Sequence, residues 1–207
     1  YFNEDLILDI RLNELNNYVE KFIVVESNYT HSGEFKKFNF DIKKFNKFND
    51  KIIYIKVEEK PKEYFEIKKN LSIGEKKGIQ ILNALMLENF QRNQILKGLN
   101  VANDEDLIMI SDLDEIPNLT SVDFTKYKSK IIIFRQFFFH YKLNLYLKNF
   151  SFFGSKCCTK KLFKSPQWLR NIKCKKYNFL RLDTLFSDKK YQNIHIVNNG
   201  GWHFTNI

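Results

Sequence analysis

Leu107-Ile108-Met109-Ile110-Ser111-Asp112-Leu113-Asp114-Glu115-Ile116-Pro117 is the stretch on which the reading of this chain turns. An apolar run of strand length ends in two carboxylates one residue apart, and Pro117 is expected to stop the regular structure there. In an extended segment residues i and i+2 point the same way, so Asp112 and Asp114 are expected to face one ion together. Carboxylates at the mouth of a buried strand are costly to hold unless something cationic sits beside them. A divalent metal carrying a phosphate ester suits such a pair, because Mg²⁺ and Mn²⁺ take about six oxygens and keep water or phosphate among them. The bland alternative is an ordinary acidic turn after a strand. The apolar run and the third acid, Glu115, favour the metal.

Outward from this stretch the chain alternates strands and helices. Residues 5–10 and 21–26 read as strands around a short helix near 12–19, and 51–57 as a third strand. Ile79, Leu82, Met86 and Phe90, spaced 3, 4 and 4, predict an amphipathic helix from about 76 to 99, ended by Gly98 or Asn100. Strand 106–111 follows, then a short helix near 119–127 and an apolar strand through Ile131-Ile132-Ile133-Phe134. This order argues for an open α/β sheet with parallel strands, whose ligands lie beyond the carboxyl ends of the strands. Glu26 and Asp112 both fall at such ends. The final third, aromatic and less regular, reads as β-rich and suited to an acceptor.

At 207 residues the chain suits one well-buried domain. Its 34 basic against 24 acidic residues give a net charge of +10, which invites nucleic acid. The lysines are scattered, however, with no compact basic helix or zinc-finger spacing. A solvated surface that attracts small phosphorylated molecules is the favoured reading. Cys157, Cys158 and Cys174 show no metal spacing, and adjacent cysteines rarely bridge, so reduced structural thiols in a cytoplasmic protein are expected. No apolar run reaches the ~18 residues of a membrane span. There is neither an initiator Met nor a signal-peptide pattern, and Tyr1 reads as the start of an excerpt. Asn28-Tyr29-Thr30 and Asn118-Leu119-Thr120 match the glycosylation sequon, a pattern that also arises often by chance.

A second constellation is Gly200-Gly201-Trp202-His203-Phe204. Two glycines let backbone approach something closely. A lone histidine between aromatics is more often packed than a ligand; beside an oxygen-rich metal site, an imidazole ligand favours Mn²⁺ over Mg²⁺.

With these blocks in hand, the sequence resembles glycosyltransferase family 17, the family of the β-1,4-mannosyl-glycoprotein β-1,4-N-acetylglucosaminyltransferases. The likeness is carried, in the family's order, by the block from Asn3 to Leu15, by Phe22-Ile23-Val24-Val25-Glu26-Ser27-Asn28-Tyr29-Thr30 and by Ser32-Gly33-Glu34. Arg92, then Ser111 to Pro117, Phe134-Arg135 and Gly201-Trp202-His203-Phe204-Thr205 complete it. The resemblance implies a GT-A-type, Rossmann-like open mixed sheet flanked by helices, in a single catalytic domain over 1–207. Within it, 1–128 would form the nucleotide-sugar-binding half and 129–207 the acceptor-side half. It implies an inverting transfer from a UDP-sugar, UDP-GlcNAc first, to a glycan hydroxyl, with Mn²⁺ preferred or Mg²⁺. Asp112 and Asp114 are similar to the DxD pair that holds metal and donor, His203 to a third metal ligand, and Glu26 and Ser27 to residues lining a nucleoside pocket. Members of the family continue past the last block, so the chain is expected to be cut short after 207.

Inversion needs a base for the acceptor hydroxyl, worth ~10²–10⁴-fold. Glu115 is the first candidate, since a neighbouring cation would keep it ionised, and Asp183 the reserve. Arg92 and Arg135 are candidates to clamp the diphosphate or an acceptor group. For Arg92 the alternative is a surface pair with Glu88, worth ~0.3–0.5 kcal/mol. The run Phe137-Phe138-Phe139-His140-Tyr141 is mostly core, with one face open to stacking on sugars. Three rival readings stand beside this one: a DxD phosphohydrolase of the haloacid-dehalogenase kind, with Asp112 as nucleophile; a non-catalytic nucleotide- or carbohydrate-binding domain of the same fold; and, last, a nucleic-acid binder.

Overall fold

The computed structural model describes residues 1, 4–120, 122–142, 144–174, 186–190 and 192–205. It is a mixed α/β protein whose chain packs into two compact units. Unit 1 comprises Tyr1–Asp5 and Glu20–Asn100; unit 2 comprises Leu6–Val19 and Val101–Ile207.

In unit 1, β1 (Phe22–Ser27) and β2 (Ile52–Val57) pair in parallel, Phe22 opposite Ile52 and Ser27 opposite Val57. Val25, Ile55 and Val57 form a small core, against which Phe90 and Ile95 pack. Phe90 lies on α2 (Ile73–Asn93), which begins at a capping box: Ser72 Oγ accepts from the Glu75 amide, and Glu75 accepts from the Ser72 amide in return. The helix expected over 76–99 therefore starts earlier, and it tightens into a 3-10 helix over Gln94–Val101. Its expected apolar stripe is not the buried face. Asn83 and Leu87 are buried while Leu82 stands half exposed, because Asn83 turns inward to bond both backbone groups of Phe65.

Unit 2 corrects the expectation for residues 5–10. They belong to a helix, α1 (Asp5–Leu15), not to a strand. Asp-Leu-Ile-Leu-Asp-Ile alternates over six residues, but across the longer window the buried positions are Ile7, Leu8, Leu12 and Leu15, a helical spacing.

The sheet of unit 2 has six strands: β3 (Leu107–Ile110), β4 (Glu115–Pro117), β5 (Ile131–His140), β6 (Tyr146–Thr159), β7 (Ile194–Val197) and β8 (Gly201–Thr205). Their order is β3-β6-β5-β8-β4, with β7 also paired to β5. The parallel pairing read from the alternation of strands and helices holds in part, and the sheet is mixed, as the resemblance implied. β5 runs parallel to β7 and β8, whereas β3–β6, β5–β6 and β4–β8 are antiparallel. A short turn joins β5 to β6, and strands joined so closely can pair only as a hairpin. Ile131–Phe134, Cys157 and Cys158 fill the centre. The cysteines are free, and burial pushes both thiols up, which keeps them unreactive.

Candidate functional site

Asp112 and Asp114 do not lie in extended chain. The Glu115 amide donates to the Asp112 carbonyl at 3.1 Å, a turn that bends the chain from β3 into β4. The two carboxylates thus have different partners rather than one shared direction. Pro117 does end the regular structure, as the last residue of β4 at the sheet edge, a position that needs no ladder donor.

Asp112 faces Arg170. That guanidinium comes from α3 (Pro166–Asn171), a short helix with Ser165 as N-cap and Pro166 in its first turn. Arg170 Nη2 reaches Asp112 Oδ2 and Glu115 Oε1, each at 2.6 Å, and Nη1 reaches Glu115 Oε2 at 2.9 Å and the Gly154 carbonyl at 3.0 Å. Lys156 pins the end of α3 by donating to the carbonyls of Arg170 and Ile172. Arg11, on α1, holds the turn from its other side, donating to Ser111 Oγ, to the Asp112 carbonyl and to the Glu115 carbonyl.

Glu115 is fully buried. Besides Arg170 its carboxylate accepts from the Asp112 amide at 3.1 Å. Burial pushes it up to about 7, against the pull of Arg170 and with Asp112 adding to the rise. A closed carboxylate of this kind cannot reach an acceptor hydroxyl. The expectation of Glu115 as general base is corrected to an anchoring role. Gly154 makes room for it: a Cβ there would overlap Gln136 Oε1 and lie 2.8 Å from the Glu115 carboxyl carbon.

Asp114 faces His203, with 3.2 Å between Oδ2 and Nε2. His203 is opposite Glu115 in the β4–β8 ladder, and its ring sits edge-on to Phe138 and Phe152. Burial, with Arg170 nearby, lowers its pKa to about 4, so the imidazole is neutral at neutral pH and able to coordinate. Its Nδ1 is buried without a hydrogen-bond partner among the described residues. The paired glycines do meet a close backbone, but it is the protein's own. Gly201 has φ +118°, and a Cβ on it would run into the Ile116 carbonyl, so the glycine lets β8 lie against β4.

Among the described residues no three His, Cys, Asp or Glu side chains are gathered for a metal. What the site offers is a facing pair, Asp114 with neutral His203, beside Asp112. Arg11 and Arg170 both lie close enough to Glu115, Asp112 and Asp114 to interact with all three, and Lys156 interacts with Glu115 as well. A facing pair of carboxylate and neutral imidazole fits a hard divalent ion that keeps water or phosphate as its other ligands.

The remaining expected residues fall elsewhere. Glu26, in unit 1, is also fully buried, and its carboxylate accepts from Lys36 at 2.6 Å, Tyr54 at 2.7 Å and the amides of Asn39 at 2.8 Å and Phe40 at 3.1 Å. Ser27 Oγ accepts from the Tyr29 amide. Both are engaged with their own unit's loop. Arg92 pairs with Glu88 at 2.6 Å, the local alternative. Arg135 points away from the acid cluster. In the regular part of the β5–β6 ladder it alternates with Gln136, whose side chain neighbours Gly154 and Glu115. Asp183 lies outside the described residues. Arg170 and Lys156 escaped sequence reading altogether. The only trace they leave is a Ser-Pro helix start before Trp168-Leu169-Arg170.

The sequence model of Glycosyltransferase family 17 matches residues 1–205, and the chain belongs to that family. No curated protein and no solved structure matches it. Membership makes the protein a transferase with a sugar donor and an acceptor, and it sets aside the phosphohydrolase reading. No helix among the described residues is long and apolar enough to cross a membrane.

Proposed function

We propose that this member of glycosyltransferase family 17 moves a sugar, GlcNAc first, from a UDP-sugar to a glycan hydroxyl in a metal-dependent, inverting step. The observation that carries the proposal is the facing pair of Asp114 and neutral His203, set beside the Asp112–Arg170 ion pair. Asp114 and His203 would hold Mn²⁺ or Mg²⁺, with water and the donor's phosphates as the other ligands, while Asp112 stays on Arg170 close by. The cation supplies charge neutralisation for a departing diphosphate.

The protein's own contribution is rigidity. Arg170 fastens Asp112 and Glu115 to one plane, and Arg11 fixes the turn carbonyls, so the carboxylates are set before anything binds. Neutral His203 keeps a lone pair available without first losing a proton. Glu115 holds Arg170 in place and takes no proton from the acceptor.

A donor-hydrolysis screen with UDP-, GDP- and dTDP-sugars in Mn²⁺, Mg²⁺ or EDTA tests this. UDP is expected from UDP-GlcNAc with metal and not with EDTA, and Asp114→Asn is expected to lower the rate by about 10²–10³-fold. Equal release in EDTA would overturn the metal dependence, and release from dTDP- or GDP-sugars alone would overturn the donor.

A further inference from the structure

The hairpin of β5 and β6 has two faces, and the acid cluster uses one. Gln136, Phe138, Phe152 and His203 belong to the cluster's face, by ladder register and by ring contact. Arg135, Phe137 and Ser151 occupy the other, because Arg135, Gln136 and Phe137 pair in unbroken register with Phe153, Phe152 and Ser151. On that side opens a cleft of about 400 Å³, lined among others by Arg135, Phe137, Tyr146, Asn149, Asn198 and Asn199, and reached also by Gln136 from the cluster's face. Its volume falls in the range of small-molecule sites, roughly 300–1,000 Å³.

The lining has a definite chemistry. Phe137 and Tyr146 pack edge to face at 5.6 Å and remain more than a third exposed, presenting ring surface to the opening. Three asparagines bring amides that both donate and accept. Asn149 and Asn199 are held at φ +66° and +54°, left-handed conformations that residues other than glycine seldom adopt. Among the described residues lining the cleft, Arg135 is the charged one. Ser151 Oγ accepts from its Nε at 2.8 Å and its Nη2 at 2.7 Å, which fixes the guanidinium plane.

From this we infer a second carbohydrate site, on the sheet face opposite the acid cluster, that takes an anionic saccharide unit. A ring face would lie on Phe137 and Tyr146, hydroxyls would meet the asparagine amides, and a carboxylate or phosphate would pair with Arg135. The inference rests on the glycosyl-transfer reading in one respect, that a glycan is what this protein handles. Its role is to hold the acceptor chain at a distance from the bond being made.

The test is calorimetry on the full chain without metal or donor. The probes are tetragalacturonate, its fully methyl-esterified neutral form and mannose 6-phosphate. Binding of either anionic probe, with the ester at least about tenfold weaker, is expected, and which of the two binds tells carboxylate from phosphate. Arg135→Gln should weaken the anionic probe about tenfold and Arg135→Lys less, since lysine keeps charge and loses the fork. Tyr146→Ala should weaken acid and ester alike, and Asp114→Asn should leave binding in place. Equal affinity for acid and ester, no binding of any probe, or an unaffected Arg135→Gln would overturn the site. Donor hydrolysis fails independently: its absence with saccharide binding intact would remove the transferase reading and leave the cleft.

Discussion

Glu26 and Glu115 are both carboxylates with no exposure to solvent, one in each unit, and they titrate in opposite directions. Burial alone raises both. At Glu26 four donors, Lys36, the Asn39 and Phe40 amides and Tyr54, more than offset it and bring the pKa below the ordinary carboxylate range. At Glu115 the Arg170 fork works against burial plus the neighbouring Asp112, and the result stays at about 7. Both are sealed from solvent, but Glu115 lies deeper among protein atoms and accepts three hydrogen bonds where Glu26 accepts four. Glu26 is a finished joint that fastens a loop to a strand. Glu115 is an anchor sunk beneath the turn that carries Asp112 and Asp114, held by the Arg170 fork and the Asp112 amide.

The harshest way to break this comparison is to remove one cation from each side. Arg170→Met strands the Glu115 carboxylate in the interior and should cost about 3–5 kcal/mol in urea unfolding. Lys36→Met leaves Glu26 three donors and should cost about 1–3 kcal/mol. Adding Glu115→Gln to Arg170→Met should recover part of the loss, because the uncompensated charge is gone. Equal costs for the two single variants would mean that donor count does not separate the sites.

The opposite titrations make a second contrast, in acid. For Glu115 the folded pKa lies above the unfolded one. Between pH 4.5 and 7 the folded state therefore binds the extra proton, and this residue's contribution to stability is lost as pH rises through about 7. Its full span is about 3 kcal/mol. For Glu26 the folded pKa is lowered, so its contribution is present above pH 4.5 and lost as pH falls through the folded value. His203, lowered to about 4, works against Glu115 by losing stability as pH falls from 6.5 to 4. Glu115→Gln should consequently make the wild-type profile fall more steeply with acid between pH 6.5 and 4.5. Glu26→Gln should flatten it only below 4.5. Identical slopes for both variants would sink the contrast.

The same contrast bears on what the sequence could reveal. The apolar run into Asp112-Leu113-Asp114 and the Gly-Gly-Trp-His block were legible, since each is written in a few adjacent residues, whereas their meeting followed from the family resemblance. Two kinds of information were not. Which way Asp112 and Asp114 point depends on a turn closed by Arg11, 101 positions away from Asp112. The strand direction in unit 2 depends on a hairpin whose halves look like any two apolar strands. Residues 5–10 failed for a local reason: six residues can match both periods, and only Leu12 and Leu15 decide. Arg170 failed because a guanidinium near a chain's far end carries no mark of the acids it will serve.

A gentler probe of the crowding at Glu115 is Gly154→Ala. The new methyl would press on the Gln136 amide oxygen and on the Glu115 carboxyl group, both buried, and should cost about 1–3 kcal/mol. Pairing it with Glu115→Ala, which vacates the space, should return part of that cost. Purely additive penalties would place the clash at Gln136 alone.

The smallest expected effect tests the other end of the comparison, an ion pair open to solvent on its acidic side. Glu88 is more than a third exposed and meets Arg92 one helical turn on, at 2.6 Å. Water screens such a pair, and holding two long side chains together costs entropy, so Glu88→Gln should change stability by only about 0.3–0.5 kcal/mol. Raising the salt concentration should erase even that difference, whereas the Arg170→Met penalty should persist, because ions cannot enter the space around Glu115. If the Glu88→Gln loss proved as large and as salt-resistant as that at Arg170, then Arg92 would be serving a buried partner in unit 1, and its expected role at a diphosphate would return as the explanation to pursue.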